Sequence, residues 1–186
     1  LLRIFADAQL EFLQLTRNPA ASINGLIDGW LSPAFFSCRL AGRPLRIPGS
    51  TTEQPWTQSW WNFELPPHWP ELVTAPLAQV CRDQWLAAQA AIRQSLQANR
   101  IRPLRVRAEQ LWDHRSADSQ LHRILEQLRL PPGPWPARRV VMATRPPAPG
   151  RWRHRQHRIL PLLAGAEPTE LARWSGYPPD STGSWT

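Results

Sequence analysis

The sequence predicts a helix-rich α/β fold, and three stretches carry that prediction. Phe12-Leu13-Gln14-Leu15-Thr16 is short, apolar and partly alternating, as expected of a buried strand. Arg17-Asn18-Pro19 follows at once, then an amphipathic run to Trp30, so strand, sharp turn and helix come in direct succession. Further on, the long helical pattern from Pro76 to Arg100 leads into a second strand candidate, Leu104-Arg105-Val106-Arg107.

In the first helix, Asn18 suits the N-cap and Pro19 the first helical position, where its missing N–H costs nothing. Ile23, Leu26, Ile27 and Trp30 then share one face. Residues 32–70 are rich in Pro, Gly, Ser and Trp, with Trp56, Trp60, Trp61 and Trp69 close together. A loop of that length inside a compact domain is either a binding element or packed down by its own side chains. Packing is the expected role for most of these tryptophans. From Pro76, apolar or small residues recur at helical spacing through Leu77, Val80, Cys81, Trp85, Ala88, Ile92 and Leu96, with Gln84 in the same stripe. A second amphipathic helix is expected over Ser119–Leu128, capped by Asp118. Residues 131–149 hold seven prolines and are expected to be irregular. Short helices over Arg158–Leu163 and Glu167–Trp174 close the pattern, the last stopped by Gly176.

All 22 basic residues are arginine, against 14 acids, for a formal charge of +8. The absence of lysine fits codon bias in a GC-rich genome. The distribution is more informative than the total. Eight arginines and no acid lie between Gln127 and Ala166: Arg129, Arg138, Arg139, Arg145, Arg151, Arg153, Arg155 and Arg158. Either a polyanion partner or a solvated basic face would account for them. No run of 18 apolar residues exists, so no membrane segment is expected. No signal peptide is visible, and two cysteines make no disulfide framework. A cytoplasmic location is the expectation, with a lumenal one left open.

No complete catalytic constellation is readable. His68, His114, His122, His154 and His157 lack zinc-like spacing with cysteine, so no metal site is expected. There is neither a Gly-x-Ser-x-Gly elbow nor a Gly-x-x-x-x-Gly-Lys loop. Anion binding remains. Arg17, at a strand end beside a helix start, joins a forked permanent cation to free backbone N–H groups, and Ser22 or Asn24 could add another donor. A buried arginine paired with a carboxylate is the competing explanation for the same pattern.

The order of motifs resembles the sulfotransferases. Leu13-x-Leu15-x-Arg17-Asn18-Pro19 and its helix are similar to the family motif in which an arginine and a helix serine hold the 3′-phosphate of 3′-phosphoadenosine 5′-phosphosulfate. Arg105-Val106-Arg107-Ala108-Glu109-Gln110-Leu111 resembles the family's strand ending in Tyr-Glu-Asp-Leu. Ile124 to Pro131 resembles its Phe-Leu-Gly-Leu helix end. Arg145-Pro146-Pro147-Ala148-Pro149-Gly150-Arg151-Trp152 resembles the Arg-Lys-Gly-x-x-Gly-x-Trp loop that closes over the same phosphate. There are departures. Gly25 stands where the family has its serine, Ala108 replaces a tyrosine that often meets the adenine, and Pro146-Pro147 replace Lys-Gly.

The resemblance implies a partial P-loop-like three-layer fold, helix-rich with short parallel strands, as a single incomplete domain over 1–186. Within it, 32–70 is a Trp/Pro-rich loop that could line part of the acceptor pocket, and 131–158 is the Pro/Arg-rich segment that closes on the cofactor. It implies cofactor contacts at Arg17, Ser22, Asn24, Gly25, Arg145, Gly150, Arg151 and Trp152. The implied reaction moves a sulfuryl group from 3′-phosphoadenosine 5′-phosphosulfate to an acceptor hydroxyl or amine, releasing adenosine 3′,5′-bisphosphate. Sixteen residues precede Arg17, fewer than the ~30 of a βαβ unit, so the phosphosulfate loop and the catalytic base are expected upstream of Leu1. The partners are then a nucleotide cosubstrate and an unknown acceptor, with no nucleic acid. Two other readings stay open. One is a nucleic-acid-binding module using Arg138 to Arg158 with Trp135 and Trp152 for stacking. The other is a different nucleotide-binding α/β enzyme, such as a kinase relative.

Overall fold

The computed structural model describes residues 10–32, 36–42, 44–50, 58–113, 115–132 and 148–179. They form a mixed, helix-rich α/β structure with a small parallel sheet. The chain divides into two compact units, Leu1–Arg17 with Arg93–Val141, and Asn18–Ile92 with Met142–Thr186.

In the first unit, β1 (Leu13–Thr16) pairs in parallel with β4 (Leu104–Arg107), in a register that sets Leu13 beside Leu104 and Thr16 beside Arg107. α4 (Ala108–Trp112) follows β4 without a break, and α5 (Ala117–Gln127) comes next. Both strands fall where the sequence puts them, but the expectation that the first is buried holds for only one face. Gln14 and Thr16 are buried, whereas Leu13 and Leu15 are 45% and 58% exposed. The register gives the reason. Side chains of paired residues project from the same face, so Leu13 and Leu15 lie beside Leu104 and Val106. Both α4 and α5 pack against β4, and Val106 is fully buried while the leucines of β1 stay open. On the other face Gln14 Oε1 accepts from Arg105 Nε at 3.0 Å, and the Thr16 hydroxyl donates to the Val106 carbonyl at 3.4 Å. Helix α5 starts two residues earlier than the sequence suggests. Ser116, not Asp118, is its N-cap, and Asp118 lies in its first turn.

The second unit is built on α1 (Pro19–Trp30) and the N-terminal part of α3 (Leu77–Ala98). Asn18 caps α1 as its sequence suggests, its side chain accepting from Ala21 N at 3.0 Å. The Trp-rich segment holds more order than its composition signals. β2 (Phe36–Arg39) and β3 (Trp60–Asn62) form an antiparallel pair with an irregularity between Phe36 and Cys38, and α2 (Trp69–Leu72) follows. Trp61 is fully buried and meets Trp30 edge to face, with ring centroids 5.2 Å apart. Trp60 and Trp69 are half-buried, and Trp56 lies outside the described residues. Packing therefore explains Trp61.

Gln84 ties these pieces together. It is fully buried on α3, accepts from Trp30 Nε1 at 2.9 Å, and donates to the carbonyls of Asn62 and Glu64 at 2.7 and 2.8 Å. One side-chain amide thus satisfies an indole N–H and the Asn62 carbonyl, which burial would otherwise leave without water, and it shares the Glu64 carbonyl with Trp61 Nε1. The apolar stripe of α3 is buried from Leu77 to Leu86 and then surfaces, with Ile92 exposed.

A 3-10 turn (Arg151–Arg155), α6 (Gln156–Leu163) and α7 (Ala166–Trp174) complete the second unit. Trp152, Ile159, Leu163, Leu171 and Ala172 enter the same core as Ile23, Ile27 and Trp30. Val140 to Met142 and Arg145 lie outside the described residues. Among the described residues no helix is long and apolar enough to cross a membrane.

Candidate functional site

Among the described residues of the second unit, a dense polar cluster centres on Asp28, the one charged residue of α1. Its side chain is 9% exposed. Arg151 Nη2 donates to Oδ2 at 2.6 Å, and Arg155 Nη1 donates to Oδ1 at 2.7 Å and also to Asn24 Oδ1 at 2.7 Å. Asn24 Nδ2 completes the ring with a bond to Asp28 Oδ2 at 3.4 Å. Asn24 and Asp28 are four apart on α1 and so share a face. Arg151 and Arg155 are presented by the 3-10 turn, whose N-cap is Gly150 at φ +64°. That left-handed conformation is open to glycine at little cost, and it aims the turn so that Trp152 enters the core while Arg151 and Arg155 reach α1.

Two guanidinium groups face one carboxylate, so the cluster carries one net positive charge. It is an oxyanion-binding arrangement: a forked cation on each oxygen and a carboxamide between them. The Cys81 thiol of α3 is fully buried. Burial pushes it well above the ordinary thiol range, and the positive charge of Arg155 pulls it part of the way back.

Of the cofactor contacts expected from the sequence, Asn24 and Arg151 come together on Asp28, with Gly150 setting the turn. Gly25 lies on α1 and is half-buried. Ser22 is half-buried in the first turns of α1, where its N–H donates to the Asn18 carbonyl at 2.8 Å. Trp152 is buried, which leaves its ring unavailable as a stacking surface for a nucleobase. Arg145 lies outside the described residues, as does Trp135. Arg17 belongs to the first unit. It follows β1 directly, and its guanidinium carbon lies 4.8 Å from the ring centroid of Trp112.

Sequence reasoning missed Asp28, Arg155 and Trp112. A lone acid in an otherwise uncharged helix was a usable signal for Asp28, since a buried carboxylate needs a cation and the acid-free arginine run offers several. Nothing in local spacing marked Arg155 above its neighbours. Among the described residues no group of three or more His, Cys, Asp and Glu side chains could hold a metal ion. A separate polar contact sets His68 Nε2 3.7 Å from the buried Asp83, which also meets Arg82 Nε at 3.0 Å.

No protein-family model, curated protein or solved structure matches this chain.

Proposed function

We propose that this chain is part of a sulfotransferase and carries its 3′-phosphate clamp. The parent enzyme transfers a sulfuryl group from 3′-phosphoadenosine 5′-phosphosulfate to an acceptor hydroxyl or amine and releases adenosine 3′,5′-bisphosphate. The observation that carries the reading is the meeting of Asn24 and Arg151 on one carboxylate. Motif order assigns these two residues, far apart in sequence, to the same phosphate, and the fold brings both to a single oxyanion, that of Asp28. The parallel pairing of β1 with β4 supports it as well, because Arg17 then follows the carboxyl end of a parallel strand, the edge where α/β folds hold their ligands.

In this reading the phosphate shares the arginine face with Asp28, and Arg155 is a further clamp residue beside Arg151. Transfer of the sulfuryl group depends mainly on positioning and on stabilising the charge that gathers on the leaving phosphate. A clamp at the 3′-phosphate serves the first of these by fixing the nucleotide in register. No residue of this chain is assigned as the general base.

The experiment is a calorimetric titration of adenosine 3′,5′-bisphosphate into the wild-type protein and into Arg151→Ala. A charge-assisted hydrogen bond to phosphate contributes about 1.5–3 kcal/mol, so the variant should bind at least about tenfold more weakly. A loss below about 1 kcal/mol would remove Arg151 from the clamp.

A further inference from the structure

Arg17 and Trp112 form a stacked pair at one end of the parallel strands of the first unit. β1 ends at Thr16 and β4 at Arg107, the two being register partners, so Arg17 and the start of α4 emerge from the same sheet edge. The Arg17 guanidinium lies over the indole of Trp112 at 4.8 Å, within the range of a cation–π contact. Even so, Trp112 remains 40% exposed, although a tryptophan at a helix end could bury itself against the sheet. Arg107, beside it at the end of β4, is exposed too. A large aromatic ring is therefore held in place by a cation at the edge of a parallel sheet where ligands bind, with a second positive charge close in sequence.

We propose that Trp112 is a stacking platform for a nucleobase, with Arg17 fixing the ring and adding positive charge for the nucleotide's phosphates. A nucleotide is the occupant that fits: its base has a flat π-face to lay on the indole face opposite Arg17, and it carries phosphates that the two arginines attract. Stacking of this kind tolerates any base and is lost when the ring is removed. The identity of the ligand as adenosine 3′,5′-bisphosphate rests on the proposed sulfotransferase reading; the stacking role of Trp112 does not appear among the contacts that reading assigns.

The test compares two probes, adenosine 3′,5′-bisphosphate and the base-free ribose 3,5-bisphosphate, on the wild-type protein, Trp112→Ala and Trp112→Phe. Trp112→Ala should weaken nucleotide binding about tenfold or more and leave the base-free probe unchanged, while Trp112→Phe stays within a few-fold of wild type. Equal weakening of both probes, or of neither, overturns the platform while nucleotide binding by the wild type leaves the sulfotransferase reading standing. If the wild type binds the base-free probe as tightly as the nucleotide, the platform falls and the clamp survives. If it binds neither, both fall. Unchanged binding of the base-free probe by Trp112→Ala, and near wild-type nucleotide binding by Trp112→Phe, separate a lost contact from a lost fold.

Discussion

Arg151 Nη2 donates to Asp28 Oδ2 at 2.6 Å, joining the 3-10 turn to the last turn of α1 across 123 residues of sequence. With Arg155 on the other oxygen, this pair does two things at once. It fastens the C-terminal segment to the first helix, and it preassembles two guanidiniums around an oxyanion. Any phosphate bound by the same groups competes with Asp28 for them.

Removing the carboxylate should separate those two effects. Asp28→Ala leaves two partly buried guanidiniums without their counter-charge. It should cost on the order of 2–4 kcal/mol by denaturant unfolding, toward the low side of a broken buried pair because both arginines keep some contact with water. Asp28→Asn keeps the shape and removes the charge. That variant should bind adenosine 3′,5′-bisphosphate several-fold more tightly than wild type, read by calorimetry. Weaker binding would mean that Asp28 organises the arginines and does not compete for them.

Gln84 is the polar hinge of the second core. Gln84→Ala removes the bonds from Trp30 Nε1 and to the buried carbonyl of Asn62, while the Glu64 carbonyl still accepts from Trp61 Nε1 at 2.8 Å. Buried groups left unsatisfied cost about 1–3 kcal/mol each, and with two such groups a total loss of about 2 kcal/mol or more is expected in urea unfolding. Gln84→Glu supplies an acceptor but no amide donor, so it should not restore stability at neutral pH.

Gly29 lies against Phe63, whose ring carbon would be 2.1 Å from a Cβ added there. Phe63 is itself held at φ +61°. Gly29→Ala forces that ring to move and should destabilise by about 1–3 kcal/mol, the range for overpacking. Truncating the ring in the Gly29→Ala, Phe63→Ala double variant should make the alanine at 29 nearly neutral relative to Phe63→Ala alone. A cycle with no coupling would place the strain elsewhere.

Cys81 is raised by burial, with Arg155 opposing. In the folded state it therefore stays a neutral thiol where an unfolded cysteine begins to ionise, about pH 8.5. A group whose folded value is raised favours the fold fully below the unfolded value, and that contribution is lost as pH climbs toward the folded one. Unfolding free energy should decline from about pH 8.5 upward, and Cys81→Ala should flatten that decline. At pH 8 a thiol reagent should label Cys38, which is half-buried, well before Cys81.

These residues also show how far the sequence could be read. Asn18-Pro19 announced α1 because capping chemistry is local, and the N-terminal stripe from Leu77 to Trp85 announced α3 because its period needs no distant partner. Leu104–Arg107 was legible for its alternation. The pairing of β2 with β3 was not, since it joins two short runs across a Pro- and Gly-rich stretch and is stabilised by non-local burial of Trp61. The two faces of β1 were legible as alternation, but that Gln14 and Thr16 rather than Leu13 and Leu15 are covered is set by long-range packing that the strand's own residues do not encode. For the candidate site, motif order reached Asn24 and Arg151, while Asp28 and Arg155 emerge only when a contact spanning 127 residues is formed. Trp112 was passed over because an aromatic in a five-residue helix has no periodic signal.

The most direct measurement is the affinity of the wild-type protein for adenosine 3′,5′-bisphosphate against adenosine 5′-monophosphate, titrated in parallel at the same ionic strength. If Arg151, Asn24 and Arg155 clamp a 3′-phosphate, the bisphosphate binds at least about tenfold more tightly, matching the ~1.5–3 kcal/mol of a charge-assisted contact, and Arg151→Ala erases the difference. Equal affinities for the two nucleotides, or a preference unchanged in Arg151→Ala, would contradict the clamp and leave the Asp28 cluster as an internal fastening of the fold.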